Sequence, residues 1–154
     1  MATTISNATL TVTLTEAVSL NGSAQGSTNS FTIAAVDETF KRIVNCAASN
    51  TTTVLTFAAA NHTSAGAMVV GDVKYVRITN KDDTNSVEVA MVGAATLYQI
   101  KLAAGQSHIL GSPDDIMLAE ADTSPSFGTM ADIASIQVNP GGNAVEMEVF
   151  VASA

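Results

Sequence analysis

The chain has a single cysteine, Cys46, among its 154 residues. One thiol forms neither an intramolecular disulfide nor a multi-cysteine metal site. The neighbours Val44 and Ala47 mark it as a small buried hydrophobe rather than a reactive thiol. Tryptophan is absent and aromatics are 5% of the chain, so the core must be aliphatic and aromatic platforms for sugars are scarce. Basic residues are few. Six Lys and Arg face fourteen Asp and Glu, for a net charge of −8, and Lys41-Arg42 is the only adjacent basic pair. Phosphate neutralisation needs a basic patch, so no nucleic-acid partner is expected. A negative surface also binds anionic membranes poorly.

Other signals are missing too. No run of about 18 apolar residues exists to span a membrane. The N-terminus MATTISNATL lacks a basic region followed by an apolar stretch, so no secretory signal is expected. Asn-X-Ser/Thr triplets at Asn7, Asn21, Asn50 and Asn61 reflect a chain rich in Asn, Ser and Thr. Glycines are scattered at turns, and none forms a phosphate-binding loop. Helical periodicity is nowhere sustained over about eleven residues.

What is present is alternation. Thr9 to Thr15 reads TLTVTLT, with Leu10, Val12 and Leu14 on one face, and Asn21-Gly22 is a strong turn signal beyond it. The stretch GSAQGSTNS is loop in composition, and Phe31 to Ala35 is a candidate short strand. Glu38 to Cys46 alternates Phe40, Arg42, Val44 and Cys46 against Lys41, Ile43 and Asn45, and Thr51 to Phe57 is rich in β-branched residues. Val73 to Thr79 and Ser86 to Val92 read as a hairpin around the polar turn Asn80 to Asn85. Thr96 to Leu102 puts Tyr98, Ile100 and Leu102 together, and Ser107 to Leu110 follows the break at Gly105. Asp115 to Glu120 reads as a strand with Ile116 and Leu118 inward. A terminal hairpin turns at Asn139 to Asn143, with Val145, Met147, Val149 and Val151 on one face and Glu146 and Glu148 on the other.

Many short strands with frequent turns predict an all-β fold, an antiparallel β-sandwich of jelly-roll type. One domain over residues 1–154 is expected, with residues 1–8 as a candidate flexible arm. Burying a large aliphatic side chain contributes about 1.5–3 kcal/mol, while fixing a residue's backbone costs about 1–2 kcal/mol. An Ala-rich, aromatic-poor chain gains from a subunit interface on that arithmetic.

No constellation announces a reaction. His62 and His108 sit in separate segments without a strand-spaced carboxylate, and no catalytic residue, cofactor site or metal site is expected. Asp82-Asp83 lies in a turn, but its adjacent acids and missing closing Glu do not match a calcium loop. Asp114-Asp115 reads as a turn entering a strand. The cations Lys74, Arg77, Lys81 and Lys101 fall near the central hairpin, and Tyr75 and Arg77 share the face opposite Val76 and Ile78. This face is either solvated or docks against an acidic partner. Phe150 points away from the Val145–Val149 face, either into a second core layer or into a subunit contact. Tyr75, Arg77, Lys81, Lys101 and Phe150 are therefore the candidate interface residues.

The segments VKYVRITNKDDTNSVEV, LYQIKLAAGQSHIL, DDIMLAEAD and VEMEVFVAS, spanning residues 73 to 151 or so, resemble small β-sandwich virion proteins of tailed bacteriophages, of the capsid decoration or cement type. That resemblance implies a non-enzymatic virion component assembled in the host cytoplasm. Its partners would be the major capsid protein or other virion proteins, and its own copies, with a homotrimer favoured. A tail, neck or fibre component that binds a receptor or glycan is the rival, with Gly22 to Ser30 and Ala121 to Gly128 as its binding loops. A hydrolase is the third reading.

Overall fold

The structure, a computed structural model, describes residues 4–60, 64, 66–120, 124, 125 and 127–154. Thirteen strands and no helix lie among these residues. The first four form a long ribbon: β1 (Ala8–Thr15), β2 (Ser19–Leu20), β3 (Ser23–Ala24) and β4 (Thr28–Val36). β1 pairs antiparallel with β4 from Ala8↔Val36 to Thr15↔Thr28, and β2 pairs with β3 toward the tip. The Glu16 N–H donates to Ser27 O at 2.8 Å, and the Gln25 N–H to Val18 O at 2.9 Å, which joins the two ladders. At the tip Asn21 and Gly22 have φ of 52° and 78°. Two successive positive φ values give the two-residue turn whose twist matches its strands. Gly26 is needed for a different reason: a Cβ there would stand 1.8 Å from the Glu16 carbonyl oxygen.

The ribbon corrects the reading of GSAQGSTNS as loop, since Ser23–Ala24 and the start of β4 are paired strand. Residues 22–30 bury neither face, so they carry no apolar alternation and their composition imitates a loop.

The remaining strands make the body: β5 (Glu38–Cys46), β6 (Thr52–Ala58), β7 (Ala67–Val69), β8 (Val73–Asn80), β9 (Val87–Val92), β10 (Leu97–Leu102), β11 (Ser107–Leu110), β12 (Ser135–Asn139) and β13 (Val145–Ser153). One sheet has the order β11-β8-β13-β5 and the other β10-β9-β12-β6-β7. The antiparallel pairs β5–β13, β6–β12, β8–β11 and β9–β10 nest inside one another. This is one long hairpin wound into two facing sheets, the jelly-roll arrangement. β7 extends the second sheet by pairing parallel with β6.

Two expected hairpins are corrected by this topology. β8 and β9 do not pair with each other, and neither do β12 and β13; each couple is split between the facing sheets. Their polar linkers are corners between sheets. Asn80 sets the first corner. It is fully buried, its Nδ2 donates to Asn85 O (2.8 Å), Ala103 O (3.2 Å) and Leu102 O (3.3 Å), and its Oδ1 accepts from the Asp82 N–H (3.0 Å). A buried amide so fully satisfied fixes the local path of the chain. The expected strand over Asp115 to Glu120 is also corrected. That segment has only a bridge between Met117 and Ala131, and Met117 is the inward residue while Leu118 is exposed.

The core lies between the two sheets. Val76, Ile78, Val87, Val89, Met91, Ile136, Val138 and the β13 residues Val145, Met147, Val149 and Val151 are all at most 2% exposed. Cys46 is buried there as well, and desolvation pushes its thiol pKa up against a lowering hydrogen bond from Thr52.

Candidate assembly surface

Alternation gives β8 and β13 two working faces. Inward residues fill the core, and outward residues Tyr75, Arg77, Thr79, Glu148, Phe150 and Ala152 form the outer face of the four-stranded sheet. The base of the ribbon folds over one half of this face. Val12 and Val36, with Leu10 and Ile33 beside them, pack on Tyr75, Ala152, Ile109 and Phe150 as a small second core. The Tyr75 ring lies 6.4 Å from that of Phe31 and 6.0 Å from that of Phe150, tilted and edge-on respectively, in the range of favourable aromatic pairs. Burial raises the Tyr75 hydroxyl pKa, against the charge of Arg77.

The other half of the face is polar. Arg77 Nη2 donates to Glu148 Oε1 at 2.6 Å, Arg77 Nη1 donates to Thr79 Oγ1 at 2.5 Å, and the Thr79 and Ser107 hydroxyls are 2.7 Å apart. Lys41 Nζ stands 3.6 Å from Glu148 Oε2. The hydrogen bond from Arg77, with the Lys41 charge adding to it, holds the Glu148 carboxyl below its ordinary pKa. Between this network and the β1 limb lies an open gap of about 420 Å³, lined by Leu14, Thr13, Lys41, Arg77 and Phe150 among others.

Of the five candidate interface residues, the fold brings three together. Tyr75, Arg77 and Phe150 are neighbours on one face. Tyr75 is 5% exposed, covered by the chain's own ribbon. Phe150 is half-buried in the same second core. Lys81 is exposed just past β8, its N–H donating to Glu146 O. Lys101 is exposed on the other sheet, opposite Glu88. The cation cluster is therefore dispersed, and the Arg77 charge is met internally by Glu148.

The sequence reading missed the ribbon's far half as a surface. Beyond the second core Leu14 is 47%, Val18 54% and Leu20 63% exposed, and Phe31, at the core's edge against Tyr75, is 46% exposed. The signal was there: an Asn-Gly turn follows an alternating strand without a second apolar face to cover it.

The other candidate chemistry resolves into local structure. Asp82 Oδ1 accepts from the Thr84 N–H (2.9 Å), the Asn85 N–H (2.6 Å) and Asn85 Nδ2 (3.1 Å), and these bonds, the Asn85 N–H first, lower its pKa. This is turn closure by a side chain. Asp114, Asp115 and Asp132 gather as an exposed acidic group, with the Asp115 N–H donating to Asp132 Oδ1. A hydrogen bond with Asp132 raises the Asp114 pKa. His108 is half-buried on β11, its Nε2 is buried with no hydrogen-bond partner among the described residues, and desolvation lowers its pKa. His62 and residues 121–123 and 126 of the expected binding loop lie outside the described residues.

No protein-family model matches the chain, and no curated protein matches it. Among solved structures, one reported as "Bacillus endospore appendages form a novel family of disulfide-linked pili" is similar over 76% of this chain and 87% of that one. The identity is 14% and the TM-score 0.43, a likeness too slight to carry a functional argument.

Proposed function

We propose that this chain is a non-enzymatic structural subunit of a multi-copy assembly, and that the assembly is a phage capsid which it decorates or cements. The observation that carries the first statement is the ribbon. A two-stranded hairpin is marginal in water without a third layer. Here the base has one and the far half does not: Leu14, Val18 and Leu20 are about half exposed or more, and Phe31 at the edge of the base keeps nearly half its surface open. Covering what remains of each contributes on the order of 1 kcal/mol. Four such contacts reach only the low end of the roughly 4–15 kcal/mol that association costs. One pair of copies is then weakly held, and a lattice with several contacts per copy is stable. The virion as the setting rests on the resemblance of residues 73 to 151.

The test is a chain in which Val18 to Gln25 is replaced by Asn-Gly, which shortens the ribbon and leaves the body intact. The whole chain should show a multi-copy mass by light scattering and pellet with capsids that lack it, and the shortened chain should do neither. Equal behaviour of the two, or turnover in esterase and glycosidase screens, would overturn the reading. Binding to cells with no binding to capsids would favour the receptor-binding rival.

A further inference from the structure

We propose that the ribbon exchanges between copies: β1–β4 of one chain seats on the Tyr75–Phe150 face of a second copy, in place of that copy's own ribbon. This rests on the structural-subunit reading and names the surface that receives the ribbon.

The hinge is the first observation. The single residue Asp37 joins β4 to β5. Its N–H donates to Ser153 O at 3.1 Å, so the body side of the joint is fixed and the pivot lies before it. There, the ladder register slips between Ala8↔Val36 and Leu10↔Ile33, leaving one extra residue on β4. Ala35, within that bulge, has a φ of 60°. Bulges of this kind ordinarily place glycine at such a position. Alanine has a Cβ that opposes the left-handed conformation and no polar group to compensate, which biases the closed form by about 5–30-fold against one in which the chain straightens.

The seat is the second observation. On the ribbon side only Val12 and Val36 are buried in the second core, with Leu10 and Ile33 half covered. The gap of about 420 Å³ between the β1 limb and the sheet opens directly beside these contacts, lined by Leu10, Val12, Tyr75 and Phe150 as well as by Leu14 and Arg77. The contact is small, and every residue of the sheet that makes it exists identically on a second copy. Complementarity between ribbon and receiving face is thus already demonstrated within one chain. A short joint of this kind is the usual setting for exchange of an element between protomers.

Concentration decides which seat is used. A tethered ribbon meets its own face at an effective concentration on the order of millimolar. Dilute chains therefore keep the closed form. Copies packed side by side reach the same range, and release of the Ala35 conformation then favours exchange.

Two variants, Val12→Cys and Ala152→Cys, each in a Cys46→Ala background, test this when mixed at assembling concentration and oxidised. Exchange predicts a dimer that joins the two variants through their introduced thiols, identified by peptide mass spectrometry. Ala35→Gly should reduce its yield several-fold, and Ala35→Val, which fits a positive φ still less well, should raise it. Multi-copy mass without the mixed disulfide would overturn exchange while leaving the structural-subunit reading standing. Absence of any multi-copy species would overturn both. Insensitivity of the mixed disulfide to both Ala35 substitutions would overturn the hinge.

Discussion

The ribbon and the jelly-roll body are written in the same pattern and end in different physical states. β1 reads ATLTVTLT and β13 reads VEMEVFVAS, each with aliphatic residues at every second position. In β13 Val145, Met147, Val149 and Val151 are at most 2% exposed, because a facing sheet covers them. In β1 only Val12 is buried, while Leu14, two residues on, is 47% exposed. Alternation fixes the strand conformation and separates the faces. It does not say what covers the apolar face, and in the ribbon that cover is left to be supplied by something else.

The contrast can be broken most severely in the body. Met147→Ala removes a fully buried side chain from the centre of the core and should cost about 2–5 kcal/mol, read as a fall in the urea midpoint. A cost below 1 kcal/mol or so would mean that the two sheets are not closely packed.

The polar half of the outer face comes next. Glu148→Gln leaves Arg77 half-buried without its carboxylate and should cost about 1–3 kcal/mol. The folded pKa of Glu148 lies below its ordinary value of 4.5. Its stabilisation is therefore present above that value and lost as pH falls through the folded pKa. The variant should lack this acid-induced loss, and equal midpoints for both proteins across the range would refute the pairing.

His108 sets a window at higher pH. Burial puts its folded pKa below 6.5, so the folded state binds fewer protons than the unfolded state. Its contribution is full above that value and declines as pH falls through it toward the folded pKa. Replacing it by Leu should flatten the thermal midpoint between pH 7 and 5.5 or so, and a profile unchanged by the replacement would count against a buried neutral imidazole.

The smallest effect on folding belongs to the ribbon tip. Leu20→Ser should change the stability of the dilute chain by no more than about 0.5 kcal/mol. The same substitution should weaken assembly several-fold. A large loss of folding stability would place Leu20 inside the chain's own core, contrary to its 63% exposure.

Much of the body was legible because burial writes itself into sequence. The faces Val87–Val89–Met91 and Val145–Met147–Val149–Val151, the inward grouping of Tyr98, Ile100 and Leu102, and the all-β sandwich follow directly from alternation. Pairing was less legible. A polar turn such as Asn80 to Asn85 looks the same whether the chain doubles back within a sheet or crosses to the facing one. The crossing depends on Asn80 bonding Leu102 O and Ala103 O, about twenty residues away. Tyr75, Arg77 and Phe150 were rightly placed on the outward side, but their partners, the ribbon and Glu148, come from other strands. The slip at Ala35 leaves no local signal at all, since alanine is not the residue that a positive φ calls for.

Backbone hydrogen exchange, measured on the dilute chain and again on the assembled form, tests the division of labour most directly. Amides of β8 and β13 should be slow in both states. Those of the ribbon between Thr13 and Ser30 should exchange fast at dilution and slow down on assembly. A ribbon as protected as β13 in the dilute chain, or one whose exchange is untouched by assembly, would contradict the account.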